Sequence, residues 1–261
     1  MNQDRRSPCS GCRDGADVGF DFTMAFQPIV ELETGRPYAY EALVRGPAGE
    51  GAASVLGLVT PENRYAFDQQ CRVKAIEGAV RAGILEGDAR LSINFLPNAV
   101  YSPVACIQVT LRAAAATGFP IHRLIFEFTE NEEMVDPAHV RNIIETYRRM
   151  GFRTALDDFG AGHAGLGLLA NFQPDAIKLD MELVRGIDSS LPRRMIVQAL
   201  VRMCSDMGIR LIAEGVETAG ELDSLRAIGV RFAQGYLFAR PELERLPMVS
   251  LPSRLAATQA A

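Results

Sequence analysis

Five carboxylates stand at the ends of short apolar segments in this sequence. They are Glu41, Glu127, Asp157, Asp158 and Glu214. The segments 124–128 and 211–214 are otherwise apolar, so a fold that buries them also buries their acids. Burying an unpaired carboxylate costs several kcal/mol, and acids that converge therefore need cations. An all-oxygen ligand set without Cys or His matches hard divalent ions such as Mg²⁺ or Mn²⁺.

Three further polar residues, Asn94, Lys178 and Gln234, end apolar segments in the same way. With the acids, they give seven consecutive predicted strands that end in a group able to bind a metal, an anion or a proton. Any one of them has a simple alternative explanation as a strand-end cap or a surface group. Seven in succession are typical of a barrel in which the C-terminal strand ends carry the chemistry.

The elements that must position these residues follow from hydrophobic periodicity and from turn signals. Eight strands are predicted, at 22–32, 38–45, 90–95, 124–128, 153–157, 175–179, 210–213 and 232–235. Helices are predicted at 62–82, 104–117, 138–150, 166–172, 193–207 and 219–228. Gly83, Gly151, Gly208 and Gly229 stand at or just past the ends of four of these helices.

Strands that alternate with helices indicate a parallel sheet with right-handed crossovers. An open sheet and a closed barrel both fit this order, and eight strands in about 230 residues favour the (β/α)8 TIM barrel. Glu33-Thr34-Gly35 predicts a hairpin between the first two strands, which makes the first strand antiparallel. The expected fold is therefore an α/β protein of the modified TIM-barrel type.

A glycine-rich loop follows the predicted strand 153–157. Residues 160–165 match G-x-G-x-x-G, and Asp180 lies 20 residues after Gly160, as in a dinucleotide-binding fingerprint. Asp157 and Asp158 would place two negative charges beside a pyrophosphate, and the motif follows the fifth strand instead of the first. We therefore interpret it as a mobile glycine loop over a metal site.

Composition limits the range of partners. The chain has 261 residues, of which 48% are hydrophobic, and 27 Lys and Arg against 32 Asp and Glu give a net charge of −5. This balance does not predict binding of a nucleic acid polymer. The uncharged stretch 91–111 is long enough for a membrane span, but its Asn and Pro residues favour strand, loop and helix in a soluble core. The expected location is the cytoplasm, with no membrane partner.

One domain is predicted over residues 20–246, with a flexible leader at 1–19 and a flexible tail at 247–261. The leader contains Cys9-x-x-Cys12, which is half of a zinc ligand set. No second Cys or His pair follows at suitable spacing, so a leader with two thiols is preferred and a structural zinc is left open.

The motifs that contain these residues resemble the EAL-domain phosphodiesterases, which hydrolyse the bacterial second messenger cyclic di-GMP. The signature itself is Glu41-Ala42-Leu43-Val44-Arg45. The other matching motifs are, in chain order, Phe26-Gln27-Pro28-Ile29, Ser92-Ile93-Asn94, Glu127-Phe128-Thr129-Glu130, Asp157-Asp158-Phe159-Gly160, Lys178-Leu179-Asp180, Ala213-Glu214-Gly215-Val216-Glu217, Gln234-Gly235-Tyr236 and Phe238-Ala239-Arg240-Pro241. An E-A-L triplet alone means nothing, whereas this ordered set is specific and covers nearly the whole predicted domain.

The resemblance implies two divalent cations, Mg²⁺ or Mn²⁺, and a hydrolysis that yields linear 5′-pGpG. The first ion would be held by Glu41, Asn94, Glu127 and Asp157. The second would be held by Asp157, Asp158 and Glu214, with Asp157 bridging. Two such ions about 3.5–4 Å apart lower the pKa of a shared water and neutralise phosphoryl oxygens.

The same resemblance assigns the remaining roles. Besides the ligands Glu41 and Glu214, Lys178 is expected to act in catalysis by contacting the attacking water, and Glu214 is able to accept a proton. Glu130 is expected to anchor the glycine loop, while Glu217 and Gln234 stand behind the ligands. The nucleotide site is expected to comprise Gln27, Leu43, Arg45, Asp180 and Pro241.

Three points stay open at this level. The glycine loop has Ala161, His163 and 164–165 where the family usually has Thr, Tyr and a Ser pair, which puts loop control and dimer coupling in doubt. A homodimer is expected from the resemblance and from the apolar helix 166–172, although a helix that packs into the core explains those residues equally well. The alternatives to the phosphodiesterase are a catalytically silent cyclic di-GMP receptor or interaction module and a different Mg²⁺-dependent barrel enzyme.

Overall fold

The computed structural model of the protein describes residues 18–100, 102–129, 137–162 and 165–251. Its strands are β1 (Thr23–Glu31), β2 (Pro37–Arg45), β3 (Arg90–Asn94), β4 (Leu124–Thr129), β5 (Arg153–Phe159), β6 (Ala176–Leu179), β7 (Arg210–Ala213), β8 (Phe232–Ala233) and β9 (Glu242–Leu243). Its helices are α1 (Ala52–Leu56), α2 (Arg64–Arg81), α3 (Pro103–Cys106), α4 (Gln108–Thr117), α5 (Pro137–Arg149), α6 (Gly165–Asn171), α7 (Met181–Val184), α8 (Leu191–Met207) and α9 (Ala219–Ala227).

The first strand closes the sheet into a barrel. Strands β2 to β8 lie side by side in chain order and are parallel, and β1 pairs antiparallel with both β2 and β8. The register places Gln27 opposite Glu41 and Val30 opposite Ala233. The short strand β9 adds to β1 outside the eight-stranded ring. The predicted modified TIM barrel with an antiparallel first strand is confirmed.

We call the end of the barrel at which the parallel strands β2 to β8 begin its lower mouth, and the end toward which they run its upper mouth. Seven apolar side chains fill the interior toward the lower mouth, and we call them the apolar plug. They are Ile29, Ala39, Ile125, Ala155, Ala176, Ile212 and Phe232. They form a cluster separate from the larger core between the strands and the helices. Because side chains alternate along a strand, the residue two positions further toward the upper end also points into the barrel. Those residues are Gln27, Glu41, Glu127, Asp157, Lys178, Glu214 and Gln234.

The structure departs from the predicted elements mainly in short segments. The predicted helix 104–117 is divided at Ile107 into α3 and α4. α1, α7 and β9 were not predicted because segments of two to five residues carry no readable periodicity. The stretch 91–111 forms β3, a 3-10 turn, α3 and part of α4, as expected. Within the described residues, no helix combines the length and apolar character that a membrane span requires.

A buried ion pair joins α2 to the barrel wall. Arg72 is fully buried, and its guanidinium lies 2.5 Å from the Asp68 carboxylate and donates to the Tyr147 hydroxyl at 3.3 Å. The other oxygen of Asp68 accepts from the backbone N–H of Leu96 at 3.0 Å, in the loop after β3. Burial raises the pKa of Asp68 even beside Arg72, so desolvation offsets much of the attraction. The pair therefore fixes the geometry more than it adds net stability.

Removal of this carboxylate charge is expected to destabilise the fold. Asp68→Asn leaves the Arg72 cation buried without its counter-charge and should lower the free energy of unfolding by about 3–5 kcal/mol. Glu77→Gln is the matched control, because Glu77 and Arg81 form an exposed i,i+4 pair at 3.9 Å on the same helix. That change should cost less than about 0.5 kcal/mol. Urea unfolding followed by circular dichroism measures both, and equal costs would contradict this account.

Candidate metal and nucleotide site

The upper mouth of the barrel brings the predicted acids together. Glu41, Glu127 and Asp157 each offer a carboxylate oxygen, and these oxygens lie within 4.8 Å of one another. Asp157, Asp158 and Glu214 form a second group by the same measure. Asp157 belongs to both groups, which is the arrangement of a bridging ligand. Glu127, Asp157 and Asp158 lie in the C-terminal halves of their strands, and Glu214 directly follows β7. Glu41 lies at the middle of the longer strand β2, in register with Gln27 and Ser92.

Lys178 stands at the centre of the acids. Its Nζ lies 2.7 Å from Glu214 Oε1, 2.9 Å from Glu127 Oε2, 3.0 Å from Asp157 Oδ1 and 3.2 Å from Glu41 Oε2. An ammonium has three N–H donors for these four oxygens. One positive charge cannot compensate five ionised carboxylates, of which Glu41, Glu127 and Asp157 are buried.

Two amide side chains hold Glu41, and a third contacts one of these two. Asn94 donates to its Oε1 at 3.0 Å, and Gln234 donates to its Oε2 at 2.8 Å. Gln234 also lies 3.1 Å from Gln27 Oε1, and Gln27 donates in turn to the carbonyl of Ala239 at 3.1 Å. The predicted place of Gln234 behind a ligand agrees with this geometry. Gln27, predicted as a nucleotide contact, is also part of the support of Glu41.

Ser92 is a supporting residue that sequence reasoning did not assign. Its hydroxyl donates to Glu127 Oε1, while Glu127 Oε2 accepts from Lys178. Ser92 is fully buried on β3, two residues before Asn94. The signal that could have found it is this spacing of two, which puts both side chains on the inner face of the same strand.

The backbone turns at Asp158 so that two successive acids reach one site. Asp158 has φ = 54°, in the left-handed region, where Asp is among the residues found more often. Gly160 follows with φ = 99°, and a Cβ there would lie 2.6 Å from Leu183 Cδ1. Neighbouring residues of a regular strand point to opposite faces. The turn is therefore what allows Asp157 and Asp158 to act together.

The protonation of the site reflects burial and mutual repulsion. Burial, with Glu41 and Asp157 nearby, raises the pKa of Glu127 to about 8 against the opposing effect of Lys178. Burial and Asp157 raise the pKa of Asp158 to about 6. Burial also raises the pKa of Glu214 well above its ordinary value. Burial acts the same way on Glu41, but Lys178, Gln234 and Asn94 outweigh it and lower the pKa.

The pKa of Lys178 is shifted in the direction opposite to the effect of its burial. Burial alone would lower its pKa, but the surrounding carboxylates hold the pKa well above the ordinary value. Lys178 is therefore a cation throughout the neutral range. It is a donor and a counter-charge in this site and not a base.

The residues present fit two hard divalent cations. All candidate ligand atoms are oxygens, which is the donor set that Mg²⁺ and Mn²⁺ prefer. Asp157 Oδ1 is buried and, although 3.0 Å from Lys178, has no hydrogen bond of good geometry. The acid that belongs to both groups thus has a buried oxygen to which none of the described residues donates a hydrogen bond of good geometry, and this oxygen would be available to a cation.

A cavity of about 330 Å³ opens above the acids. Of the residues predicted to bind the nucleotide, Gln27 and Asp180 line it. Asp180 also caps α7 by accepting from the backbone N–H of Glu182 at 2.7 Å. Met181 and Gly215 line it as well and were not predicted as nucleotide contacts.

The other predicted nucleotide contacts lie apart from this cavity. Leu43 lines a separate apolar cavity of about 460 Å³, which Asn94 also borders. Arg45 donates to the carbonyl of Val44 at 2.7 Å. Neither Arg45 nor Pro241 is among the described residues that line the acidic cavity.

Tyr236 is the aromatic residue on the rim that sequence reasoning left without a role. It is 49% exposed, lines the acidic cavity, and has the Arg240 guanidinium 4.3 Å from its ring centroid. Its position in Gln234-Gly235-Tyr236, directly after the last strand, is the signal that could have found it. Gly235 is required there, because a Cβ would lie 2.0 Å from the carbonyl oxygen of Val216.

Two predicted residues near the loops have different outcomes. Glu217 lines the cavity but is paired with Arg185, at 2.7 Å, and that hydrogen bond lowers the pKa of Glu217. Glu130 and His163 lie outside the described residues, as do Cys9 and Cys12. The role of Glu130 as loop anchor and the choice between zinc and free thiols therefore remain predictions.

Comparison with known families settles the relationship. The sequence profile described as the EAL domain matches residues 18–241. The chain belongs to the EAL domain family. This EAL domain is 32% identical over 230 residues to the blue light- and temperature-regulated antirepressor BluF of Escherichia coli K12, which covers 88% of the chain and 57% of BluF. It is 28% identical over 239 residues to the cyclic di-GMP phosphodiesterase PA2567 of Pseudomonas aeruginosa, at 88% and 39% coverage. The chain spans about half the length of these curated relatives, or less.

Solved structures give the same relationship. The EAL domain is 50% identical to a standalone versatile EAL protein from Vibrio cholerae O395 in its c-di-GMP-bound form, with a TM-score of 0.86 and coverage of 90% of this chain and 98% of that one. It is 38% identical to Klebsiella pneumoniae BlrP1 in a complex with manganese and cyclic di-GMP, with a TM-score of 0.81 and coverage of 87% and 57%. The predicted family and barrel are therefore both confirmed.

The raised carboxyl pKa values predict how the stability of the metal-free EAL domain depends on pH. Glu127 and Asp158 have native pKa values above those of the unfolded chain, so between about pH 4.5 and 8 the folded state binds more protons. Stability should therefore fall as pH rises through this window. Lys178, whose pKa is raised on folding, contributes stability that is fully present below its unfolded pKa of about 10.4. Glu41, whose pKa is lowered on folding, contributes stability that is lost only when the pH falls below its ordinary pKa.

The measurement is the melting temperature from pH 5 to 8, first metal-free and then with Mg²⁺. Mg²⁺ binds ionised acids, so its stabilising effect should be larger at pH 8 than at pH 5. Glu127→Gln should flatten the metal-free dependence, and KCl at matched ionic strength serves as the control. A metal-free melting temperature that stays constant or rises toward pH 8 would contradict the assignment.

Proposed function

We propose that this EAL domain is a cytoplasmic phosphodiesterase that hydrolyses cyclic di-GMP to linear 5′-pGpG with two divalent cations. The observation that carries the proposal is the complete set of acids, in two groups that share Asp157. The name of the Pseudomonas relative supports the reaction, and the cyclic di-GMP complexes of both solved structures support the substrate.

The proposed ligands divide between the two groups. Glu41, Asn94, Glu127 and Asp157 would hold one cation, and Asp157, Asp158 and Glu214 would hold the other, as Mg²⁺ or Mn²⁺. When bound, the cations would lower the pKa of the attacking water and neutralise the charge on the phosphodiester. The manganese in the BlrP1 complex supports this choice of ion.

Two side chains would handle protons and charge. Lys178 stays protonated and reaches four carboxylates, so it offsets their repulsion. Where cations took over some of these oxygens, its N–H groups would become free to donate to an attacking water. Glu214 lies 2.7 Å from Lys178, and burial raises its pKa above the ordinary range of a carboxyl. Because burial makes this carboxylate more basic, Glu214 in its ionised form would be the group that accepts the proton of the water.

The nucleotide would lie across the rim of the cavity. Gln27 and Asp180 are the predicted contacts already in place there, and Tyr236 stacked with Arg240 offers a flat surface for a guanine. Leu43, Arg45 and Pro241 remain proposed contacts, and they require the substrate to extend beyond the acidic cavity.

The second candidate function is a catalytically silent cyclic di-GMP receptor or interaction module. The relative BluF favours it, because its name is that of an antirepressor and not of an enzyme. This chain keeps the acids of both groups, whereas a receptor has no chemical need for them. Hydrolysis in the presence of metal therefore distinguishes the two functions.

Replacement of a ligand tests the enzymatic proposal. Glu41→Gln keeps the size of the side chain but removes its charge, and it should reduce the release of 5′-pGpG at saturating Mg²⁺ or Mn²⁺ by at least about 100-fold. The exposed Glu77→Gln variant is the control and should retain wild-type turnover. Circular dichroism checks that both variants are folded.

The outcomes of this assay are separable. Near-normal turnover by folded Glu41→Gln would remove Glu41 from the metal site. Binding of cyclic di-GMP by the wild type without any metal-dependent hydrolysis would favour the receptor.

We also propose that the EAL domain forms a homodimer through α6. Leu168 and Leu169 of the predicted apolar helix are buried in the core, together with Phe172 just after it, but Leu166 is 64% exposed. Only Leu166 is thus available to a partner among these four. The core-packing explanation accounts for the other three.

Light scattering at micromolar concentration tests the dimer. The wild type should have twice the monomer mass, and Leu166→Glu should have the monomer mass, because burying a charge at an apolar contact is unfavourable. Leu85→Glu is the control, since Leu85 is 42% exposed at the opposite end of the barrel. A monomeric wild type with full activity would contradict the proposal.

A further inference from the structure

Three arginines begin alternate strands at the lower mouth of the barrel. They are Arg90 of β3, Arg153 of β5 and Arg210 of β7. Each is the register partner of a plug residue on the preceding strand: Arg90 of Ala39, Arg153 of Ile125 and Arg210 of Ala176. Side chains of register partners lie on the same face of a sheet. The three arginines therefore point toward the barrel axis below the plug, as a layer contributed by alternate strands.

The guanidiniums lie close enough to interact. Those of Arg90 and Arg210 are 4.7 Å and 6.0 Å from the ring centroid of Tyr38. Partial burial lowers the pKa of Arg90, Tyr38 opposes this shift, and repulsion from Arg153 and Arg210 adds to it. Arg90 Nε is buried and has no hydrogen-bond partner. Positively charged groups therefore lie close together at a place where at least one N–H donor, Arg90 Nε, has no acceptor.

No carboxylate among the described residues forms an ion pair with Arg90, Arg153 or Arg210. The acids nearby are already engaged. Glu31 is 3.6 Å from Arg231, and Asp175 accepts from the backbone N–H of Thr154 at 2.9 Å. The π face of Tyr38 provides some stabilisation for a cation but accepts no N–H bond in the guanidinium plane. The in-plane N–H groups of the guanidiniums are therefore the groups that would donate to an anion.

A cavity of about 600 Å³ lies at this mouth. Arg90, Arg210 and Arg231 line it together with Tyr38, Phe232 and the paired Glu31. Its volume lies within the range of small-molecule sites. Planar guanidiniums bind phosphate oxygens through two parallel N–H bonds, and Arg is favoured where such recognition matters.

We propose that the lower mouth of the barrel is an anion site that binds the phosphate groups of a small phosphorylated molecule. Arg90 and Arg210 line the cavity, and Arg153, which is not among its lining residues, adds positive charge close to Arg90. Their combined charge matches a diphosphate better than a single carboxylate. The site is separate from the metal site, because the apolar plug lies between the two mouths. A bound diphosphate would join β3 and β7 at their first residues and thus stabilise the barrel.

The test uses the whole chain, stripped of metal with a chelator and then dialysed, so that the acidic rim does not attract anions. Inorganic pyrophosphate at millimolar concentration should raise the melting temperature of the wild type above its value in NaCl of equal ionic strength. Arg90→Gln and Arg210→Gln should each weaken pyrophosphate binding at least about tenfold in calorimetric titration. Arg64→Gln is the matched control, because Arg64 is exposed at the start of α2, near the opposite mouth.

A purely structural role of the arginines predicts a different result. If they only cover the base of the barrel, the Gln variants should melt lower than the wild type without pyrophosphate. If they form an anion site, the loss of one repelling charge should leave that melting temperature unchanged or higher, and only the shift caused by pyrophosphate should disappear.

A wild type that shows no shift beyond NaCl, or Gln variants that keep the full shift, would overturn the proposal. If either variant fails to fold, hydrogen exchange of the wild type decides. Pyrophosphate should then protect the first residues of β3 and β7, and protection only at the metal site would overturn the proposal. GTP as a second probe distinguishes the source of the phosphates, because a larger shift than with pyrophosphate indicates a nucleotide and an equal shift a free diphosphate.

Discussion

The upper half of this structure depends on excess negative charge in a buried place. Four carboxylates surround the Lys178 ammonium at 2.7–3.2 Å, and Asp158 adds a fifth acid at the edge. One cation cannot balance them, and burial together with their mutual repulsion raises the pKa of Glu127 to about 8 and that of Asp158 to about 6. The amides of Asn94 and Gln234 and the hydroxyl of Ser92 hold the acids in position without removing their charge. The site is thus organised for additional cations, which is the physical basis of the proposed metal-dependent chemistry.

The barrel also separates opposite charges along its axis. Acids occupy the upper mouth, arginines occupy the lower mouth, and the apolar plug lies between them. This separation follows from the alternation of side chains, since each inward position is two residues from the next. Arg153, Ala155 and Asp157 show all three levels on the single strand β5. Two binding sites of opposite charge preference can therefore occupy one barrel without direct contact.

The family relationship and the site make complementary contributions to the functional argument. EAL domains include relatives named as a phosphodiesterase and as an antirepressor, so membership alone does not decide between enzyme and receptor. The acids favour the proposed enzyme, because a receptor would keep the cost of burying them without using the cations that they attract. The rim of the cavity adds an exposed tyrosine stacked with an arginine, which suits a planar base.

The sequence by itself determined the barrel, the antiparallel first strand and the residues of the acidic mouth. These follow from local patterns: periodicity defines the strands, and acids such as Glu127 and Glu214 stand at the ends of apolar segments. Local patterns did not reveal Ser92, whose role depends on the register between β3 and β4. They also missed α1 and α7, because elements of so few residues have no periodicity of their own.

Only the tertiary structure decided which polar groups meet. Asp157 and Asp158 are neighbours that a regular strand would point apart, and the left-handed backbone at Asp158 brings them to one site. Lys178 contacts acids from four other strands or strand ends, which no spacing along the chain encodes. Arg90, Arg153 and Arg210 are each separated by about 60 residues in sequence. They come together because the barrel closes and because the strand register places them in one layer along its axis. Closure turns separate strand positions into shared layers, and this is the information that a one-dimensional pattern lacks.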